Sequence, residues 1–199
     1  MEVSVHEDWD LNRINTPGVF RPSTATWYLT NTDNATGPVQ QISFGAPGDV
    51  PLAGNWSGAG ASTIGVYRPS NATFYLRNSN TSGVADETIP LGNMGDVPLA
   101  GDFDGNGTTR VGVYRPATST FYFTHAGGPV TATPFGNPGD RPFAGNYWCT
   151  SCACTPAQAV FGVFRPSDIT WYGLCASSPM SAHPADFAYG DPSDHPLLK

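Results

Sequence analysis

Gly65-Val66-Tyr67-Arg68-Pro69 decides how this chain is read, because the phrase returns as Gly18-Val19-Phe20-Arg21-Pro22, Gly112-Val113-Tyr114-Arg115-Pro116 and Gly162-Val163-Phe164-Arg165-Pro166. The arginines stand 47, 47 and 50 residues apart, and a fixed period of that size marks a repeat architecture. Repetition accounts for most residues that would otherwise look catalytic. Departures from the repeat are therefore the places to search for function.

Each arginine opens a second phrase, Arg-Pro-Ser-x-x-Thr-aromatic-Tyr, at Arg21–Tyr28, Arg68–Tyr75 and Arg165–Tyr172, with Ala117 for Ser in Arg115–Tyr122. Aromatic and β-branched residues on both sides of a Pro-Ser or Pro-Ala turn predict a β-hairpin. A third phrase, Phe44-Gly45-Ala46-Pro47-Gly48-Asp49-Val50-Pro51-Leu52-Ala53-Gly54, recurs at 91–101 and 135–145 and as a worn copy at 189–199. It predicts a turn, a short apolar strand and a polar loop. One unit then holds roughly four short strands, the content of a propeller blade. With 23 Gly and 19 Pro and no apolar stripe at 3.6 spacing, no helix is placed anywhere.

The expected fold is all-β: one β-propeller domain over 1–199, built from four repeats at 8–54, 55–101, 102–145 and 146–199, with 1–7 helping to close a four-bladed ring. The basis is phase. Val3–His6 aligns with Val97–Ala100, and Asp194-His195-Pro196-Leu197-Leu198 with Asp96–Ala100, so both ends fall at one point of the repeat. A ring closed from both termini removes exposed sheet edges. Half of an eight-bladed dimer and a piece of a longer array are the alternatives.

The formal charge is −7, Lys199 is the single lysine, and four of the eight arginines sit at the repeated position. No basic patch is left for a phosphate backbone, which argues against nucleic acid as a partner. No apolar run approaches the roughly 18 residues of a transmembrane helix, and Met1-Glu2-Val3-Ser4 does not open a signal peptide. Scarce Lys, clustered Cys and Asn-x-Ser/Thr sites at Asn34, Asn55, Asn71, Asn80 and Asn106 point to an extracellular protein.

Phe44-Gly45 through Gly48-Asp49, the loop Asp102-Phe103-Asp104-Gly105-Asn106-Gly107 and the Val-Tyr-Arg-Pro strand together resemble the FG-GAP/VCBS class of repeats, found in integrin-like propellers and many secreted bacterial proteins. The resemblance covers nearly the whole chain. It implies blades with a calcium loop between the first two strands, extracellular placement, and ligand binding at the ring face or between blades.

In that family the loop wraps calcium with closely spaced oxygens. Here Asp102, Asp104, Asn106 and Thr108 match the early ligands, but Arg110 replaces the last acid. Asp8, Asp10 and Asn12 keep three oxygens without the glycines, while Asn55, Ser57 and Ala59 carry no charge. Structural calcium is one reading. The other is an Asx-rich turn held by its own side-chain hydrogen bonds.

Asp49, Asp96, Asp140 and Asp194 share the periodicity of Arg21, Arg68, Arg115 and Arg165, so each arginine is expected to form a structural ion pair with one of them. The alternative is a ring of anion-binding arginines. Trp27-Tyr28, Phe74-Tyr75, Phe121-Tyr122 and Trp171-Tyr172 lie in a strand, where neighbours face opposite sides. Trp9, Trp56, Phe103 and Tyr147 form a second periodic set. These aromatics either fill the core or, at Trp9, Trp56, Trp27, Tyr28, Tyr75, Tyr122 and Tyr172, stack on sugar rings.

Cys149, Cys152, Cys154 and Cys175 break the repeat within one blade. They fit two disulfides of open connectivity or a four-thiolate zinc site. There is no Gly-x-Ser-x-Gly, His-Glu-x-x-His or phosphate loop, so no catalytic residue is nominated. The function expected is a secreted, non-catalytic recognition module, lectin-like or adhesive, whose partner is a glycan or another cell-surface ligand. A structural, self-assembling homo-oligomer and an accessory or degenerate domain of a secreted hydrolase are the alternatives.

Overall fold

The computed structural model describes residues 2–32, 34, 37–145, 159–175, 187–188, 191 and 193. Every regular element among them is a β-strand. The strands fall into two compact units, Met1–Met94 and Gly95–Lys199, and each unit holds two four-stranded antiparallel sheets of the blade type.

In the first unit, one blade is β1 (Val3–Glu7), β2 (Thr16–Arg21), β3 (Thr26–Thr30) and β4 (Val39–Ser43), paired in chain order. The next is β5 (Val50–Gly54), β6 (Thr63–Arg68), β7 (Thr73–Leu76) and β8 (Glu87–Pro90), and β1 lies beside β5. The second unit repeats the plan with β9 (Val97–Gly101), β10 (Arg110–Arg115), β11 (Thr120–Phe123) and β12 (Thr131–Pro134), then β13 (Arg141–Gly145), β14 (Val160–Arg165), β15 (Thr170–Cys175) and β16 (Phe187–Ala188). Here β9 lies beside β13. The register is the same throughout: Val19 faces Tyr28, Val66 faces Tyr75, Val113 faces Tyr122 and Val163 faces Tyr172.

The sheets are cut one strand out of phase with the sequence units. Val50–Gly54 ends the unit 8–54 yet opens the second blade, and β1 opens the first. Residues 194–199, the worn copy of that opening strand, lie outside the described residues.

The recurrent hairpin is a tight turn. Thr24, Asn71 and Thr118 donate their N–H to the carbonyls of Arg21, Arg68 and Arg115 at 3.2, 3.3 and 3.2 Å. The residue that re-enters the next strand has positive φ each time: Ala25, Ala72, Ser119 and Ile169 at 51, 50, 48 and 53°. A short type I turn followed by a left-handed residue gives the strands their antiparallel return.

Packing explains the glycine of the signature phrase. A Cβ on Gly18 would stand 2.7 Å from Trp9 and 2.9 Å from Leu29; on Gly65, 2.9 Å from Leu76 and 3.1 Å from Trp56; on Gly112, 2.5 Å from Phe123. On Gly162 it would run into the carbonyl of Tyr172. An aromatic ring thus crowds the strand at the place where it has no side chain. The aromatic two positions later packs against the strand that follows: Phe20 on Trp27, Tyr67 on Phe74, Tyr114 on Phe121 and Phe164 on Trp171, with centroids 5.0, 4.6, 4.6 and 5.1 Å apart. Each large ring removed from water contributes about 1.5–3 kcal/mol, so the four tilted pairs are a main source of cohesion.

The outer strands differ. Side chains of β4, β8 and β12 are mostly exposed, and β8 and β12 end on Pro90 and Pro134.

Candidate functional site

Three of the four repeated arginines meet the expected aspartates in one geometry. Nε and Nη2 of Arg68 donate to Oδ1 and Oδ2 of Asp49 at 2.9 and 2.9 Å; Arg115 meets Asp96 at 3.1 and 2.9 Å, and Arg165 meets Asp140 at 3.0 and 2.9 Å. The carboxylates are buried. Asp49 and Asp140 also accept the N–H of Ala46 and Asn137 at 2.8 Å. Each fork therefore pins the segment entering a blade to the second strand of that blade. The hydrogen bond to the carboxylate is the main reason these guanidinium groups titrate above the ordinary arginine value.

Arg21 is different. Asp194, its expected partner, lies outside the described residues; among the described residues Arg21 pairs with Glu2 at 2.6 Å in an exposed position. The alignment of Val3 with Val97 sets Glu2 at the place of Asp96, so the carboxylate comes from the residue just before the first strand.

All four guanidinium groups lie over a tyrosine of the neighbouring strand, 4.8, 4.5, 4.5 and 4.4 Å from the ring centres of Tyr28, Tyr75, Tyr122 and Tyr172. These tyrosines are half-buried, so one face is covered by a cation. Arg21 and Arg115 also donate Nη1 to the hydroxyls of Tyr28 and Tyr122 at 2.8 and 3.2 Å. In the other two blades a turn residue takes the hydroxyl: Asn71 Nδ2 donates to Tyr75 at 3.0 Å, and Tyr172 donates to Asp168 at 2.9 Å.

The tryptophans proposed for stacking are placed otherwise. Trp9, Trp56 and Trp27 are buried at 6, 4 and 0% exposure and present no ring face to a ligand. Trp9 and Trp56 donate Nε1 to the carbonyls of Thr16 and Thr63 at 3.0 and 3.1 Å. Phe103 fills the same place without a donor. Tyr147 lies outside the described residues.

The loops between the first two strands are held by their first side chain. Asp102 accepts the N–H of Asn106 and Gly107 at 3.1 and 2.7 Å; Asp8 accepts those of Asn12 and Arg13 at 3.1 and 2.9 Å; Asn55 accepts that of Gly60 at 3.0 Å. Asn12 and Asn106 repeat the device on Ile14 and Thr108 at 2.7 and 2.9 Å. Two positions have left-handed φ in all three loops: Leu11 and Arg13 at 66 and 66°, Gly58 and Gly60 at 75 and 109°, Gly105 and Gly107 at 69 and 82°. The first blade thus puts Leu11 and Arg13 where its neighbours put glycine. Such a side chain costs about 1–2 kcal/mol. Leu11 lies over Gly60, whose Cβ would come within 2.8 Å of it.

These residues do not fit a cation as arranged. Both oxygens of Asp102 and of Asp8 face N–H donors, and Asp10 is engaged by Asn12 at 3.2 Å. Among the described residues no three His, Cys, Asp or Glu side chains gather as a metal set. Asp104 is turned away from the loop centre. Its Oδ1 meets His125 Nδ1 at 2.6 Å, its Oδ2 accepts the Ala126 N–H at 2.9 Å, and Arg110 Nε stands 3.5 Å from Oδ2. Burial alone would raise this acid, but the bonds from His125 and Ala126 and the charges of His125 and Arg110 hold its carboxyl below the usual range. His125 Nε2 in turn meets the Thr131 hydroxyl at 2.7 Å.

Cys149, Cys152 and Cys154 lie outside the described residues, and of Cys175 only the backbone is described, as the last residue of β15. No described helix is long and apolar enough to cross a membrane. The chain matches no family model, no curated protein and no solved structure.

Proposed function

We propose that the protein is a recognition module of the extracellular space, lectin-like or adhesive, and a divergent relative of the FG-GAP/VCBS repeats. The observation that carries this reading is the tyrosine of each blade, half-exposed, with a guanidinium over one face and a polar partner on its hydroxyl: Arg21, Asn71, Arg115 or Asp168. A ring face with fixed donors and acceptors suits a sugar. Four weak copies gain from multivalency what each lacks alone.

A glycan array at high protein density tests this. Binding is expected, and Tyr→Ala changes at Tyr28, Tyr75, Tyr122 and Tyr172 should lower apparent affinity stepwise as they accumulate. Absence of binding to any glycan would remove the lectin reading. The forks hold Arg68, Arg115 and Arg165 to aspartates of their own blades; the second reading is a self-assembling building block. Light scattering of a concentration series would show growth in mass if that reading holds.

A further inference from the structure

We propose that Thr131 is an acyl acceptor, its hydroxyl activated by His125 and His125 oriented by Asp104. The three groups form a chain of two short hydrogen bonds, 2.6 Å from Asp104 Oδ1 to His125 Nδ1 and 2.7 Å from His125 Nε2 to Thr131 Oγ1. An ionised carboxylate only accepts, so Nδ1 carries the proton, and Nε2 of the neutral ring is left to accept from the threonine hydroxyl. Nucleophile within reach of a base, and base held by a third group, is the geometry that activates a hydroxyl. The carboxylate is itself fixed by the Ala126 N–H and by Arg110.

Thr131 is exposed at the start of β12, whereas His125 and Asp104 are 24 and 18% exposed. The residue that bears the hydroxyl is exposed and its supporting groups are shielded. The arrangement belongs to this blade alone among the three whose loops are described. The positions 47 and 94 residues earlier than His125 hold Asn78 and Asn31, and those earlier than Asp104 hold Ser57 and Asp10. No base stands there.

The substrate class is a small acyl ester. Thr131 Oγ1 bonds to the carbonyl carbon as its proton passes to His125 Nε2. The bond from that carbon to the leaving oxygen then breaks, and the leaving oxygen takes the proton from Nε2. The products are an ester at Thr131 and a free alcohol, with no change of oxidation state. The result is a stoichiometric covalent attachment, which goes beyond reversible recognition and uses different residues.

Nitrophenyl acetate is the probe. One acetyl group per chain is expected at Thr131 by peptide mapping, with matching release of nitrophenolate. Thr131→Ala should abolish that label and Thr131→Ser should retain it; both changes sit at an exposed position and leave the melting temperature unchanged. His125→Gln should slow labelling of Thr131 by about 10²-fold or more, the usual contribution of a general base. Asp104→Asn, at a positioning residue, should slow it as well, and Asp104→Glu, which keeps the carboxylate, should restore part of the rate. Acetylation confined to Lys199, the N-terminus or His125 would overturn the proposal, as would equal Thr131 labelling rates in the native protein and His125→Gln. Glycan binding by Thr131→Ala is unaffected in either case, so failure here is distinct from failure of the recognition reading.

Discussion

Two acidic features repeat along this chain, and they behave differently from copy to copy. The forks at Asp49, Asp96 and Asp140 keep residue type, hydrogen-bond pattern and distances within 0.2 Å of one another. The loops that start at Asp8, Asn55 and Asp102 keep only their backbone, and their second polar side chain wanders from Asp10 to Ser57 to Asp104. A buried carboxylate must be satisfied where it stands, because an unpaired one is expensive. An exposed side chain capping loop amides can be exchanged for any short acceptor, and the residue after next can take on other work. In the third blade that freedom supplied Asp104 to His125.

Breaking a fork gives the largest expected effect. Arg68→Ala leaves Asp49 buried without its cation and should cost about 3–5 kcal/mol, read as a shift in the denaturation midpoint. Removing the loop cap is milder: Asp102→Ala should cost about 1–2 kcal/mol, the range for lost side-chain caps of backbone amides. A loss equal to that of Arg68→Ala would erase the distinction between the two features. Arg13→Gly should have the opposite sign, stabilising by up to about 1 kcal/mol through relief of a left-handed arginine. Arg21→Ala tests whether sequence position or burial sets the strength of a fork, because its partner Glu2 is exposed; the loss should be far smaller than that of Arg68→Ala and shrink in salt.

The smallest effect concerns pH. The carboxyl of Asp104 titrates lower in the folded chain than its ordinary value, so its contribution is fully present above about pH 4 and is lost as pH falls through the depressed value. Asp104→Asn should flatten that acidic part of the stability–pH profile.

The periodic features were legible in the sequence because each rests on local chemistry. The hairpins follow from Arg-Pro-Ser-x-x-Thr, and the forks from two charges with one period. The part of Glu2 is legible too, since the alignment of Val3 with Val97 sets it at the place of Asp96. Trp9 and Trp56 read equally well as surface or core until Gly18 and Gly65 are seen as the gaps beneath their rings. The left-handed Leu11 and Arg13 become visible once the three loops are aligned on Gly58, Gly60, Gly105 and Gly107. Asp104, His125 and Thr131 left no such signal. They lie 21 and 6 residues apart and come together only through the path of two loops.

The short outer strands bear on how such a protein behaves when crowded on a surface. A free sheet margin invites a neighbouring molecule to add a strand, and repetition of the margin would turn that into a fibre. Here β8 and β12 are four residues long and finish on a proline, which offers no N–H to a visitor. Strand addition at these two margins is therefore disfavoured even when many copies sit side by side.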